Sequence, residues 1–458
     1  MTFSISRWTI LGLIGVVLLA AFVRFDGLGT PDTFIADEGF YAPDGCLYVH
    51  AGKQCDRSAE ASPEHPPLGK WLIGLGIKAT SFTPQGWRTA PAIAGTLTVA
   101  LLFLLALRLF GSAGYATFTG ALLAMDPLHI VQSRIATLDV FVTLFGVAAV
   151  LFAVLDYQHP SERLVPGWRL AAGVAAGAAV ASKWSGVLAL AVVVLLCLAR
   201  PGTRLTRKLA SAVITLGLVP LAVYVLTFAG RVHGSLLAAP WSHGSLIRAL
   251  AHRQVTMWRD QTGSFVPSAY QSPPWSWPLL KRPEVHYASV ANHQIREVLA
   301  IGSPVVWWLG FGAFVAAAIV CVRSRGHDLP SLVVALTVGC TYVPWLVLAH
   351  GRSFVFLYYM TPVVPFLCLA VGWGCWSLRE RVLVLAPAVA VCACLLLVFW
   401  WPVLTASPIS FGAWRSRVVF HDCRSNDQPE KLPMDAHGQP RAWIQLLHGR
   451  PPGGWCWV

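Results

Sequence analysis

Eleven apolar stretches constrain this chain more than any other feature, at roughly 8–25, 89–109, 113–128, 138–155, 168–182, 184–199, 209–229, 301–322, 331–349, 355–375 and 382–402. Most come close to the roughly 20 residues a helix needs to cross a bilayer. A soluble fold could not keep so many nearly chargeless runs away from water. The expectation is an all-α polytopic membrane protein with about 11 transmembrane helices.

The charges orient these spans. A formal net charge of +13 would suit a nucleic-acid partner if it formed a patch, but in a polytopic protein basic residues collect on cytoplasmic loops. With the N-terminus inside, the inner loops hold Arg7, Arg108, Arg163 with Arg169, then Arg200, Arg204, Arg207 and Lys208, then Arg323 with Arg325, and Arg379 with Arg381. The outer face receives three long segments, 26–88, 230–300 and 403–458, and the first carries Asp32, Asp37, Glu38, Asp44, Asp56, Glu60 and Glu64. The N-terminus is therefore expected in the cytoplasm, the C-terminus outside the cell membrane, and no nucleic acid is expected as a partner. Reading the pair of spans around Lys183 as one long hairpin would change this parity. The first span has no small-residue cleavage site before Arg24-Phe25-Asp26 and is expected to stay as a helix.

One membrane domain, 1–402, carries the external loops 26–88 and 230–300 and is followed by the external segment 403–458. Cys197, Cys321, Cys340, Cys368, Cys375, Cys392 and Cys394 lie in spans, where a thiol packs as a small apolar group. Cys46, Cys55, Cys423 and Cys456 all face outside and are candidates for two disulfides, with three pairings open. Leu68–Phe82, started by Pro66-Pro67, reads as an interfacial helix with Lys70 and Lys78 on one face. The second loop is rich in His and aromatic residues: His233, His243, His252, Trp258, Tyr270, Trp275, Trp277, His286, Tyr287 and His293. Anchoring at the membrane surface is their ordinary role.

Asp37-Glu38 and His65-Pro66-Pro67-Leu68-Gly69-Lys70-Trp71 share the first loop. Acids beside a rigid basic segment at a bilayer surface suit chemistry on a lipid-borne substrate. Moving a sugar from a lipid phosphate to a hydroxyl requires a base for the hydroxyl and cations, or a metal, for the departing phosphate. Asp37 and Glu38 are candidates for the base, because an acid next to another acid and shielded by lipid has a raised pKa. Lys70, Arg88, Arg134 and Lys183, each near an outer membrane edge, are candidates for the phosphate. Each has a plainer reading: a solvated turn for the acids and His65, snorkelling for Arg88 and Lys183, and helix-dipole complementation for Asp139.

The order Asp37-Glu38-Gly39-Phe40-Tyr41, HPPLGKW (65–71), Gly86-Trp87-Arg88, Ser133-Arg134 with Leu138-Asp139, Lys183-Trp184-Ser185-Gly186, and Ser272-Pro273-Pro274-Trp275-Ser276-Trp277-Pro278 resembles the bacterial protein O-mannosyltransferases over residues 20–375. Gly351-Arg352-Ser353-Phe354 and PVVPF (362–366) fit as well. The resemblance implies a GT-C fold, polyprenyl-phosphate mannose as donor, and inverting transfer to Ser or Thr of exported polypeptides near the secretion translocon. It implies Asp37 as base and His65, Lys70, Arg88, Arg134, Asp139, Lys183, Trp275 and Trp277 around the substrates. Ser268-Ala269 before Tyr270 departs from the family's His-Pro, and about seventy residues of second loop leave no room for the β-trefoil of animal and fungal members. A lipid or glycan acceptor, as in aminoarabinose transferases, and a non-enzymatic transporter are the alternatives; few charges at mid-depth speak against the transporter. No cofactor is called for, and a divalent ion held by Asp37 or Glu38 with His65 is the competing arrangement.

Overall fold

A computed structural model of the chain describes residues 6–49, 55, 62–161, 163–200, 204–229, 244–263, 270–349, 355–418, 420 and 457. Local sequence sets the helix starts. Thr83-Pro84, Asp126-Pro127 and Ser303-Pro304 each put a capping oxygen just before a proline, whose missing N–H costs nothing in the first turn. Thr83 accepts from the Gly86 N–H, Asp126 from His129 and Ser303 from Val306. The helices in chain order are α1 (Arg7–Phe25), α2 (Glu38–Val49), α3 (Leu68–Ala79), α4 (Pro84–Phe110), α5 (Ala113–Met125), α6 (Pro127–Arg134), α7 (Asp139–Gln158), α8 (Gly167–Ser182), α9 (Val187–Ala199), α10 (Leu205–Ala212), α11 (Val219–Leu226) and α12 (Leu246–Thr262). They continue with α13 (Pro304–Arg323), α14 (Leu329–Tyr342), α15 (Trp345–Leu348), α16 (Val364–Ser377), α17 (Leu385–Leu404) and α18 (Phe411–Arg415).

Seven segments among the described residues are helical, long and apolar enough to cross a membrane, and Ala113–Met125, Trp184–Ala199 and Val364–Ser377 are shorter apolar helices of the same bundle. With α8 they account for the eleven apolar stretches. Ile10, Ile14, Leu18, Trp308, Val315, Ile319, Leu395 and Val398 stay exposed on the bundle surface, as lipid-facing residues must.

The pair around Lys183 keeps its parity. Asp156 at the end of α7, Arg169 at the start of α8 and Arg200 after α9 meet at one end of the bundle, with Arg169 Nη2 2.9 Å and Arg200 Nη1 3.3 Å from Asp156 Oδ2. Asp139 at the start of α7 and Lys183 after α8 meet at the other. Lys183 is extended, Trp184–Gly186 form a 3₁₀ turn, and a Cβ on Gly186 would collide with the Ala179 backbone. The tight reversal therefore uses the glycine of the Lys-Trp-Ser-Gly sequence.

Three features differ from the sequence expectations. The stretch 355–375 is helical only from Val364; Leu357–Met360 is a 3₁₀ turn, because Pro362 and Pro365 lack the N–H groups that an α-helix through this stretch would bond to the Tyr358 and Thr361 carbonyls. Lys70 is buried whereas Lys78 is exposed. Eight residues at about 100° each leave the two roughly 80° apart around α3, enough to divide them between the protein and the surface. The external loops also build a small sheet: β1 (Glu284–Ala291), β2 (Gln294–Ala300) and β3 (Ile409–Ser410), antiparallel in that order. Asn292 and His293, both with positive φ, make the two-residue turn between β1 and β2.

The first external loop packs through α2 on α3, where Gly45 and Gly74 touch backbone to backbone; a Cβ on Gly74 would run into the Gly45 carbonyl. A Cys46–Cys55 disulfide closes the loop after α2. Cys423 and Cys456 lie outside the described residues. The seven span cysteines are free thiols. The described part of 403–458 packs on the sheet: Trp414 Nε1 donates to Glu297 Oε2 at 2.6 Å and Trp457 Nε1 to the Leu280 carbonyl at 2.8 Å.

Candidate active site

The two adjacent acids do different things. Glu38 opens α2 and is buried: Oε1 accepts from Arg88 Nε at 2.7 Å and from the Ala136 N–H at 3.0 Å, and Oε2 from Arg88 Nη2 at 2.8 Å and the Ile35 N–H at 3.1 Å. Arg88 gives its other N–H groups to the carbonyls of Leu28 (3.2 Å), Pro31 (2.9 Å) and Thr33 (2.9 Å). A guanidinium has five N–H donors, and all are used. In place of the base role expected of Glu38 and the phosphate role expected of Arg88, the pair ties loop 28–38 to α4 and to the turn before α7.

Asp37 sits one residue earlier, after Ala36, which holds a left-handed backbone (φ 47°), a conformation costing of order 1 kcal/mol away from glycine. Among the described residues none hydrogen-bonds to its carboxylate. Burial pushes this carboxyl up to about 6; Lys183 opposes the shift, and Asp139 and Glu64 add to it. Lys183 Nζ is 2.8 Å from Asp139 Oδ2 and lies over the rings of Tyr359 (4.8 Å) and Tyr358 (5.8 Å). Beside them opens a cavity of about 430 Å³ whose walls include His65, Lys183, Trp184, Trp258, Trp345 and Tyr359.

The remaining sequence candidates separate clearly. His65 is on the cavity wall, its ring 6.0 Å from that of Tyr41. Lys70 pairs with Asp44 at 2.8 Å and donates to the Ser62 carbonyl (2.6 Å) and Oγ (2.9 Å), which occupies its three protons. Arg134 is buried, donates to the carbonyls of Val23 (2.9 Å) and Arg24 (3.3 Å), and stacks over Trp401 at 5.7 Å. Trp277 is fully buried, donating to the Ser272 carbonyl and packing edge-on against Trp345 and Tyr359, so it supports the cavity wall. Trp275 is exposed, with Lys281 over its ring. Gly351, Arg352, Ser353 and Phe354 lie outside the described residues.

Thus Asp37, His65, Asp139 and Lys183 come together, whereas Lys70 and Arg88 are spent on the scaffold and Arg134 gives its Nη1 donors to it. Tyr358, Tyr359, Gln132, Glu284 and His286 join the site without having been singled out for it. Only the prolines around Tyr358-Tyr359 signalled an irregular turn. Among the described residues no three His, Cys, Asp or Glu side chains converge as a metal-ligand group.

This helical membrane bundle has the GT-C glycosyltransferase fold. The fold resembles the S. cerevisiae protein O-mannosyltransferase Pmt1-Pmt2 complex bound to the sugar donor (TM-score 0.74, 15% identity, 90% of this chain and 92% of that one). It also resembles ArnT from Cupriavidus metallidurans bound to undecaprenyl phosphate (TM-score 0.55, 19% identity, 86% and 71%). The family of dolichyl-phosphate-mannose-protein mannosyltransferases matches residues 85–237, and the C-terminal four-transmembrane region of protein O-mannosyltransferases matches residues 246–425. The polyprenol-phosphate-mannose–protein mannosyltransferases of Mycolicibacterium smegmatis (28% identity, 88% of this chain and 90% of theirs) and Corynebacterium glutamicum (28%, 82% and 84%) align over most of their length. The chain belongs to this protein O-mannosyltransferase family.

Proposed function

We infer that this enzyme transfers mannose from a polyprenyl-phosphate donor to Ser or Thr hydroxyls of exported polypeptides at the outer face of the cell membrane, with inversion at the sugar carbon. The observation that carries the reading is the opposite use of two adjacent acids: Glu38 is locked into the scaffold while Asp37, raised to about 6, remains to act as a base. Such a value leaves the group largely ionised at neutral pH and still basic enough to take a hydroxyl proton. The acceptor oxygen attacks the anomeric carbon as its proton passes to Asp37, and the bond to the phosphate oxygen breaks on the opposite side. Negative charge then grows on the polyprenyl phosphate, and Lys183 is the cation on the cavity wall that meets it. This assigns charge neutralisation to a side chain, and the reaction is proposed to need no divalent ion.

The positive-inside pattern supports an N-terminus in the cytoplasm and this site outside, and polypeptides emerging from the translocon are the acceptors proposed for it. Purified enzyme in lipid, given polyprenyl-phosphate mannose and a Ser/Thr-rich peptide, should yield an α-linked mannosyl peptide from a β-linked donor. Sugar appearing on a lipid or glycan instead of the peptide would move the assignment to the aminoarabinose-transferase type of acceptor.

A further inference from the structure

Glu284 and His286, both at the start of β1, are half-buried residues that each hold a buried polar atom without a partner: Glu284 Oε2 and His286 Nδ1. Leaving such groups unpaired costs free energy, so two of them side by side call for a ligand or bound water. The hydrogen-bond chain behind them fixes their chemistry. Thr137 Oγ1 donates to Gln132 Oε1 at 3.0 Å, so the amide nitrogen of Gln132 faces His286 Nε2 at 2.8 Å. Nε2 must then accept, and the ring proton sits on Nδ1. Burial drives the imidazole down to about 4, so it is neutral at pH 7, and burial also holds the Glu284 carboxyl well above the usual carboxylate range.

The result is an N–H donor 4.0 Å from a carboxyl, with the Tyr358 ring 5.7 Å from the imidazole. Tyr358 is also beneath Lys183, and the charges of Asp37 and Lys183 both act on Glu284. The pair therefore belongs to the reaction site. Lys183, whose charge reaches Glu284, is already paired with Asp139, and the Asp37 carboxylate opposes a phosphate here. An aromatic face with a donor and an acceptor side by side matches vicinal hydroxyls of a sugar ring.

We propose that Glu284 and His286 form the subsite for two adjacent hydroxyls of the transferred sugar, making them determinants of donor specificity. The inference rests on the reading of the chain as a mannosyltransferase. His286→Gln keeps a polar atom near Nε2 and removes the Nδ1 donor; Glu284→Ala removes the acceptor. Inhibition by unglycosylated polyprenyl phosphate and the KM for polyprenyl-phosphate mannose are measured beside the acceptor-peptide KM, on variants that melt like the wild type. Each variant should raise the donor KM about tenfold, the worth of one lost hydrogen bond, with inhibition by the sugarless lipid and the peptide KM unchanged.

A second measurement needs no variant: donors with the sugar deoxygenated at single positions should lose about tenfold in kcat/KM at two neighbouring positions. In the variants that loss should vanish. Equal weakening toward the sugarless lipid, a change confined to the peptide KM, or full tolerance of every deoxy donor would overturn the subsite and leave the pair as a water site. Those outcomes with intact mannosyl transfer sink this inference alone; no mannosyl transfer by the wild type sinks the functional reading as well.

Discussion

Asp37→Asn removes the proposed base while preserving shape. The wild-type carboxyl at about 6 is about nine-tenths ionised at pH 7 and one-tenth at pH 5. If Asp37 must be ionised to act, kcat/KM should rise with pH through about 6 and level off above it, falling roughly tenfold between pH 7 and pH 5. The neighbours define a further test. Lys183 holds the carboxyl down and Asp139 pushes it up. Lys183→Gln takes away the cation and frees the Asp139 charge, so both changes displace the acidic limb to higher pH. Asp139→Asn should displace it to lower pH. Asp37→Asn itself should cut turnover by about 10²–10⁴ and abolish the limb. The assay is single-turnover transfer of radiolabelled mannose to peptide across pH 4.5–8.5, in lipid, with correct insertion checked by thermal melting. An acidic limb that persists unchanged in Asp37→Asn, or that moves the wrong way in Lys183→Gln, would refute the base assignment.

Breaking the buried Arg88–Glu38 pair by Arg88→Ala should cost about 3–5 kcal/mol of stability, read as a lowered melting temperature in detergent; a normally folded variant with weakened donor binding would return Arg88 to the phosphate. Arg88→Lys should rescue little, because an ammonium has three donors where five are used. Activity should survive strong chelation, and loss restored by adding a divalent ion would transfer the phosphate role from Lys183 to a metal. Non-reducing peptide mapping should recover the Cys46–Cys55 link, and Cys46→Ser should lower the melting temperature while leaving the pH limb in place.

The membrane architecture was legible because long apolar runs and basic inner loops express it directly, and Thr83-Pro84, Asp126-Pro127 and Ser303-Pro304 mark helix starts in sequence. The division of labour at the site was not. Asp37 and Glu38 are chemically alike and adjacent, and what separates them is Arg88, fifty residues downstream, together with the Ala136 N–H. Lys70, Arg88, Arg134 and Lys183 likewise look the same at span edges; only packing shows which have spent their protons. The sheet had a signal in the β-branched and aromatic residues flanking Asn292-His293, but the His and aromatic content of that loop pointed to interfacial anchoring. Its third strand, from Ile409-Ser410, pairs with β2 across more than a hundred residues, beyond any local pattern.

If Asp37 is the base, as proposed, the buried Glu38–Arg88 pair gives a reason for an acid beside it. A catalytic carboxylate needs a fixed position but cannot be fixed by donors to its own oxygens, since each hydrogen bond to the ionised form would lower its basicity. Glu38 solves this by taking the anchoring bonds one residue away. Four donors on Glu38 set the backbone at the start of α2, and the left-handed turn at Ala36 aims the preceding segment. Asp37 is thereby positioned through the chain while its oxygens keep their basicity. Lys183 contributes at longer range: its closest carboxylate is Asp139, at 2.8 Å, so it tempers the shift at Asp37 without forming the ion pair that would quench the base. In the proposed mechanism, position comes from Glu38, basicity from burial, and charge at the leaving group from a lysine already balanced by a separate acid.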